Sequence, residues 1–408
     1  MTNGINLVRC CIAGGGPAGM MLGYLLARAR VEVLVLEKHS DFLRDFRGDT
    51  IHPSTLEVMR ELGLLDEFLK LPHQKVYELG AQFGEIRFTF ADFRHLPTRC
   101  GFVAFMPQWD FLNFLAEKGS RYPTFNLKMD AEVIGLIEES GCIVGVRAKT
   151  PESEIEVRAD LVVGADGRTS IVREKAGLQA REFGAPMDVL WFRIRRAAED
   201  PAVSMGRFDA GRIFIALNRG DYWQCGYVIA KGQFEEMRRQ EFDKFRMEIV
   251  KVAPYLQDRT QDLYSWDEVK LLTVRMNRLD EWIRPGLLSI GDAAHAMSPV
   301  GGVGINLAIQ DAVAAANVLF KPLLERKVTT DDLRRIQARR ELPTRVTQRL
   351  QLAVQDRIIA RVLTDTQPLK SPLAVRLLAR FPFFRRVPAH IIGLGIRPEH
   401  VSPDLLHA

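Results

Sequence analysis

The stretch LVRCCIAGGGPAGMMLGYLLARARVEVLVLEKH, Leu7 to His39, sets an apolar run, a glycine turn, a helix-like run and a second apolar run in succession. Leu7 to Ala13 and Val31 to Leu36 read as strands and Pro17 to Arg28 as a helix, the opening βαβ of a dinucleotide-binding fold. Gly14, Gly16 and Gly19 satisfy GxGxxG. The three glycines serve, in order, a tight turn, room for a pyrophosphate to approach the backbone, and close packing of helix on strand. Pro17 and Ala18 fall in the first helical turn, where the missing N–H of a proline costs nothing and free N–H donors face a phosphate. Glu37, followed by Lys38, ends the second strand; an acid there accepts hydrogen bonds from a ribose diol and disfavours a 2′-phosphate. The nucleotide expected is therefore one that ends in plain adenosine, such as FAD or NAD.

Composition bounds what surrounds this motif. A chain of 408 residues suits one large body or two intimately shared domains, and 47% apolar with 26% charged residues is the balance of an ordinary globular protein. The net charge of +5 is modest and its basic residues are spread out, which argues against nucleic acid and favours anionic small molecules. Five cysteines with no CxxC pair read as reduced thiols in a cytoplasmic setting, with neither disulfides nor a metal site. No uncharged apolar run reaches spanning length.

Further along, FRGDTIHPSTLEVMRELGLLDEFL places Arg44, Arg47 and His52 ahead of an amphipathic helix opened by Pro53. The arginines are either solvated or anchors for a phosphate or an anionic substrate. Residues 130 to 160 read as three antiparallel strands, after which an apolar strand, Leu161 to Gly164, returns to the parallel sheet and ends in Asp166-Gly167, with a helix from about Thr169. Residues 183 to 280, joined by 76 to 96, read as a separate antiparallel sheet. In it Trp191, Arg193 and Arg195 share one face, and Tyr222 and Gln224 alternate with Trp223 and Cys225. LLSIGDAAHAMSPVGGVGINLAIQDA, Leu287 to Ala312, is a short buried strand with Gly291-Asp292 at its carboxyl end, followed by glycines and a long helix. Ligands bind at such carboxyl ends, so Asp292 is placed to hold a polyol chain.

GxGxxG with Glu37, then GADGRTSIVR, then GDAAHAMSPVGGVGINLAIQDA resembles, in that order, the FAD-dependent class A aromatic hydroxylases, the para-hydroxybenzoate hydroxylase family, over roughly residues 7 to 365. The resemblance implies an α/β fold: a Rossmann-like FAD-binding domain with a parallel sheet (1–75, 97–182 and 283–365), an antiparallel-sheet substrate domain (76–96 and 183–282) and C-terminal helices (366–408). It implies that Gly14, Gly16 and Gly19 hold the FAD pyrophosphate, Glu37 the adenosine ribose, and Gly291 and Asp292 the ribityl and pyrophosphate region. Pro299, Gly302, Val303, Gly304, Ile305 and Asn306 would lie beside the isoalloxazine. Asp166-Gly167 resembles the motif linked to both FAD and NAD(P)H, and Arg47 the arginine that often contacts FAD. One departure is Gln108 in QWDFLNFL, where the family often has an arginine.

The implied chemistry is reduction of FAD by NAD(P)H and transfer of one oxygen atom of O2, through a flavin C4a-hydroperoxide, to an aromatic, phenolic or polycyclic small molecule. A phenol reacts better as phenolate, so a base or proton relay would help. The candidates are His52, His295 and Tyr222, with Pro299 at the reacting edge. Arg193, Tyr222 and Gln224 are the candidate substrate contacts. A flavin-dependent halogenase or an FAD-linked isoprenoid reductase keeps the same fold, and a non-catalytic flavoprotein is a third reading. The chain reads as a monomer or homodimer. Its basic tail is expected to wrap the body, with membrane contact as the lesser alternative.

Overall fold

A computed structural model describes residues 6–43, 50–84, 86–201, 204–365 and 380–408. Arg44 and Arg47 lie outside the described residues, as does the segment 366–379. The strand Asn6–Ala13 stands at the centre of a parallel sheet, because Cys10 to Ala13 are inaccessible on both faces. Val33–Leu36 and then Phe125–Lys128 lie on one side of it; Glu154–Gly164 and then Leu287–Ser289 lie on the other. All five run in parallel, so their carboxyl ends share one edge.

Two boundaries differ from the sequence reading. The second strand starts at Val33, two residues late, because Arg30 turns back with φ +62° and Val31 bonds to the end of the helix. The third antiparallel strand and the apolar strand before Asp166 are one element, Glu154–Gly164. Its polar first half pairs with Cys142–Lys149, which continues to Glu132–Glu139, while its apolar second half is enclosed between Asn6–Ala13 and Leu287–Ser289. A change of surroundings along one strand, and not a break in it, causes the change of composition.

The helices Pro17–Arg28, Gln108–Gly119 and Gly304–Glu325 pack together over this sheet. From Ile305 to Ala316 every residue of the third is buried. Among the described residues this is the one helix long and apolar enough to cross a bilayer, and its burial marks it as a core helix.

The second sheet has seven strands in the order Lys270–Leu272, Met187–Arg195, Tyr222–Ala230, Arg212–Asn218, Met205–Asp209, Glu78–Phe83 and Ile86–Asp92. Alternation sorts its faces as expected. Phe192, Trp223, Tyr227 and Phe214 pack outward against Phe245 and Ile249 of the helix Phe242–Val252. Met187, Val189, Ile213 and Val228 face inward with Val300, Val354 and Ile359. A small sheet of Thr50–Ile51, Val103–Phe105 and Gln74–Val76 sits between the two bodies.

Candidate functional site

The glycine turn behaves as its spacing demands. Gly14 has φ +107°, and a Cβ there would stand 2.4 Å from the Ala165 carbonyl oxygen. A Cβ on Gly19 would stand 2.0 Å from Gly14 O, which is the close helix-to-strand contact. Around Gly16 the space is open, with no atom within 4 Å of a Cβ position, and no side chain caps the helix that Pro17 begins. An open cradle at an uncapped helix N-terminus fits a pyrophosphate.

Glu37 is 8% exposed; its Oε2 accepts from the Gly15 N–H (2.9 Å), and its Oε1 accepts from the His39 N–H (3.1 Å) and also meets the His39 ring Nδ1. The acid is thus held at the edge of the cradle. Lys38 follows it, exposed.

Asp166 lies across the same edge, after Gly164. Its carboxylate accepts from Ser170 Oγ (2.5 Å) and the Val172 N–H (3.1 Å), and Ser170 in turn caps the short helix Ile171–Lys175 by accepting from the Arg173 N–H (2.9 Å). That capping moves the helix start two residues past the expected Thr169. Burial raises the Asp166 pKa, although these hydrogen bonds pull the other way. Gly167 takes φ +84° and lets the chain turn into Arg168, whose Nε donates to Asp292 Oδ2 at 3.1 Å. One ion pair therefore ties the loop after the Glu154–Gly164 strand to the loop after Leu287–Ser289. Gly291 closes the circle, since a Cβ on it would lie 3.1 Å from Ala18 Cβ.

The loop from Pro299 to Val303 leads into the core helix with φ +80° at Gly301 and +62° at Gly302. Thr50 Oγ donates to Gly302 O at 2.9 Å. Asn306 accepts from the His52 N–H (2.9 Å) and Thr55 Oγ (2.7 Å), so its side chain ties the helix to the Thr50–Ile51 strand. Ile305 is buried, while Val303 and Gly304 are half-buried at the helix start.

Three glutamines unremarked in the sequence line up behind this loop, and two of them, Gln351 and Gln355, hold its start. Gln348, Gln351 and Gln355 project from one side of Thr330–Val354 and its π-helical continuation Gln355–Ile359. Gln351 Nε2 donates to Ser298 O (2.9 Å) and Val300 O (2.8 Å), and Gln355 Nε2 to Ser298 Oγ (2.6 Å). Gln348 Nε2 donates to Asn277 O at 2.7 Å. The spacing i, i+3, i+7 was readable as one helix face; the loop it serves was not.

The two candidate histidines are committed to the protein. His52 is 1% exposed, its Nδ1 lies 2.7 Å from Ile392 O, and burial lowers its pKa to about 4. His295 Nε2 meets Asp311 Oδ2 at 2.6 Å, while its Nδ1 is buried with no hydrogen-bond partner among the described residues. Asp311 is fully buried and also accepts from the Gly291 N–H (3.1 Å) and Arg340 Nε (2.9 Å). Burial would raise its pKa, but His295 and Arg340 more than offset that and hold it low. Both histidines are held as anchors by these contacts.

On the substrate sheet, Arg193 is exposed with its guanidinium 5.1 Å from the half-buried Tyr222 ring. Gln224 is 5% exposed and accepts from Arg219 Nε at 3.0 Å. Arg219, which the sequence reading missed in its turn, lies 5.7 Å over the Phe105 ring. Phe105 pairs with Thr50, beside Gly302. Gln224 thus belongs to the junction of the two sheets, and Arg193 to the rim. Gln108 opens the helix Gln108–Gly119, which has no side-chain cap, three residues after the Val103–Phe105 strand ends.

Comparison with known proteins agrees with this layout. The FAD binding domain family model matches residues 8–349. A 6-methylpretetramide 4-monooxygenase from Streptomyces rimosus is 32% identical over 397 residues, 97% of this chain and 94% of that protein. An anhydrotetracycline hydroxylase structure from the same organism superposes with TM-score 0.75 at 24% identity, covering 96% of this chain and 77% of that one. A probable FAD-dependent monooxygenase from Pseudomonas aeruginosa gives 0.74 at 21%, covering 88% and 98%. The shared parallel-sheet edge, its open glycine cradle and a match that runs through both sheets lead to one conclusion: the chain belongs to the FAD-binding domain family and is an FAD-dependent aromatic monooxygenase that uses NAD(P)H and O2.

Proposed function

We propose that this monooxygenase hydroxylates a polycyclic phenol held between the inner face of the seven-stranded sheet and the Pro299–Gly304 loop. The observation that carries the reading is the extent of the 32% identity. It spans 97% of the chain, the substrate sheet included, and that relative is a 6-methylpretetramide 4-monooxygenase. The inner face suits such a flat apolar ligand: Trp191 lies against Gly226, and Leu79, Phe90 and Leu217 are only partly buried.

Gly14, Gly16 and Gly19 would hold the FAD pyrophosphate, Glu37 the ribose, and Asp292, oriented by Arg168, the ribityl region. Bound FAD supplies the electron transfer and oxygen activation that no side chain here provides. The chain itself orients the substrate and excludes water. Gln351 fixes the backbone at Ser298 and Val300, Gln355 holds the Ser298 hydroxyl that accepts from the Val300 N–H, and Val300 extends the apolar floor of the substrate side. Gln224, with Arg219, offers a polar contact to a ring oxygen. Tyr222, half-buried on the same face, is the proposed route for a phenolic proton. Five unpaired cysteines support a cytoplasmic setting.

The test is anaerobic stopped-flow reduction by NADH and by NADPH, with polycyclic phenols set beside single-ring phenols and aromatic acids. Faster reduction with the polycyclic compounds and, once O2 is admitted, a product heavier by one oxygen are the expected results. Acceleration confined to single-ring acids would overturn the substrate class, and acceleration by none of them the assignment as a whole.

A further inference from the structure

The C-terminal segment leaves its largest apolar side chains in the open. Phe381, Phe383, Phe384 and Val387 are 47%, 67%, 50% and 56% exposed, on the 3-10 turn Pro382–Arg385 and the start of the helix Arg386–Gly393. The rings meet edge to face, Phe384 lying 6.2 Å from both Phe381 and Phe383. Arg380 stands 5.6 Å from the Phe381 ring and Arg386 5.2 Å from that of Phe383. Clustered exposed aromatics of this size mark a contact surface.

The base of this tip is firmly held. Ala389 and Leu394 are buried in one core with Phe93 and Phe105, and a Cβ on Gly393 would stand 2.7 Å from Leu96. The Ile392 carbonyl takes the hydrogen bond from His52. Burial behind and exposure in front make the three rings an anchored protrusion.

Charge selects what the protrusion meets. From Thr366 to Pro398 the sequence contains no Asp or Glu, but it contains five arginines and Lys370. Rings between arginines fit the interface of an anionic bilayer, where the rings enter the headgroup region and the guanidinium groups meet lipid phosphates. We infer that Phe381, Phe383 and Phe384, with Arg380 and Arg386, dock this protein on an anionic lipid surface. The carrying helix reaches the substrate side, because Ile392 packs in the same apolar cluster as Leu79, Phe90 and Leu217. Docking therefore sets that end of the substrate sheet near the lipid, where apolar ring systems concentrate.

The test uses the full-length, FAD-loaded enzyme sedimented with phosphatidylcholine vesicles, with or without about 30% phosphatidylglycerol. Expected is at least roughly tenfold more protein in the pellet with the anionic vesicles, and release on raising salt to about 0.5 M. A Phe381→Ser/Phe383→Ser/Phe384→Ser variant should keep its flavin absorbance and lose the pelleting. An Arg380→Glu/Arg386→Glu variant should lose the preference for anionic lipid. Equal pelleting with both vesicle types, or a triple-serine variant that pellets like the parent, would overturn the inference. A parent that ignores vesicles but is a dimer in solution, and becomes a monomer in the triple-serine variant, would assign the rings to a second copy and overturn it as well.

Discussion

Gly14 and Gly16 differ in what a methyl group would meet. At Gly14 it meets the Ala165 carbonyl at 2.4 Å with φ +107°, so Gly14→Ala should lower stability by about 2 kcal/mol or more even without FAD. At Gly16, φ is −75° and the space is empty. Gly16→Ala should change the stability of the FAD-free protein by no more than about 0.5 kcal/mol, yet weaken FAD binding at least about tenfold, some 1.4 kcal/mol. Melting of the FAD-free proteins and flavin fluorescence titration separate the two effects. Equal loss of FAD affinity with equal loss of stability would contradict the division of labour.

His52 carries a pH prediction. Burial lowers its folded pKa to about 4 from 6.5. A lowered histidine pKa means the unfolded chain binds the proton more readily, so the contribution is present above about pH 6.5 and is lost as pH falls towards 4. Between pH 7 and pH 5 the parent should lose about 2 kcal/mol that a His52→Gln variant does not; urea unfolding at the two values measures it. In the sequence His52 was a candidate base or relay because it lies in one of the flavin-side motifs. Its actual partner, Ile392, is 340 positions away, and no local pattern announces that.

At the scale of elements, the glutamine face of the long helix acts on the Pro299–Gly302 loop. Gln351→Met keeps the volume and removes the donor to Ser298 O and Val300 O. The variant should bind FAD normally while diverting several-fold more of its oxygen to hydrogen peroxide, read as the ratio of peroxide to hydroxylated product. Gln348→Met, which releases Asn277 O and not the loop carbonyls, should leave the ratio near that of the parent. An unchanged ratio in Gln351→Met would remove the positioning role. Arg340 has a different load. It is 1% exposed and joins Asp311 (2.9 Å) to Glu399 (3.5 Å), so Arg340→Met leaves two buried carboxylates without their shared cation and should cost about 3–5 kcal/mol in thermal or urea unfolding.

The elements themselves were legible where the signal is local. The opening βαβ, the glycine turn and the alternating faces of the Met187–Arg195 and Tyr222–Ala230 strands follow from periodicity and turn chemistry. Arg168, Arg219, Asp311 and Arg340 were missed, since each acquires its role from a partner on another element. The continuous Glu154–Gly164 strand was split for a related reason: its two halves have different neighbours, and sequence shows only the neighbours' effect on composition.

For the whole molecule, the decisive feature is a shared edge. Ala13, Leu36, Gly164 and Ser289 end parallel strands side by side, and the loops after them carry the open glycine cradle, Glu37, Asp166 and Asp292. Arg168 binds Asp292, and Gly291 touches Ala18, so the three separated motifs form one continuous rim leading to the Pro299–Gly304 loop and the inner face of the substrate sheet.

A crystal structure with FAD tests this directly. Adenosine is expected at Glu37, pyrophosphate over Gly14 to Gly19, the ribityl chain at Asp292 and the isoalloxazine beside Pro299 to Gly304. Flavin density away from that rim, or a purified chain that takes up no FAD, would contradict the shared edge as the cofactor's seat.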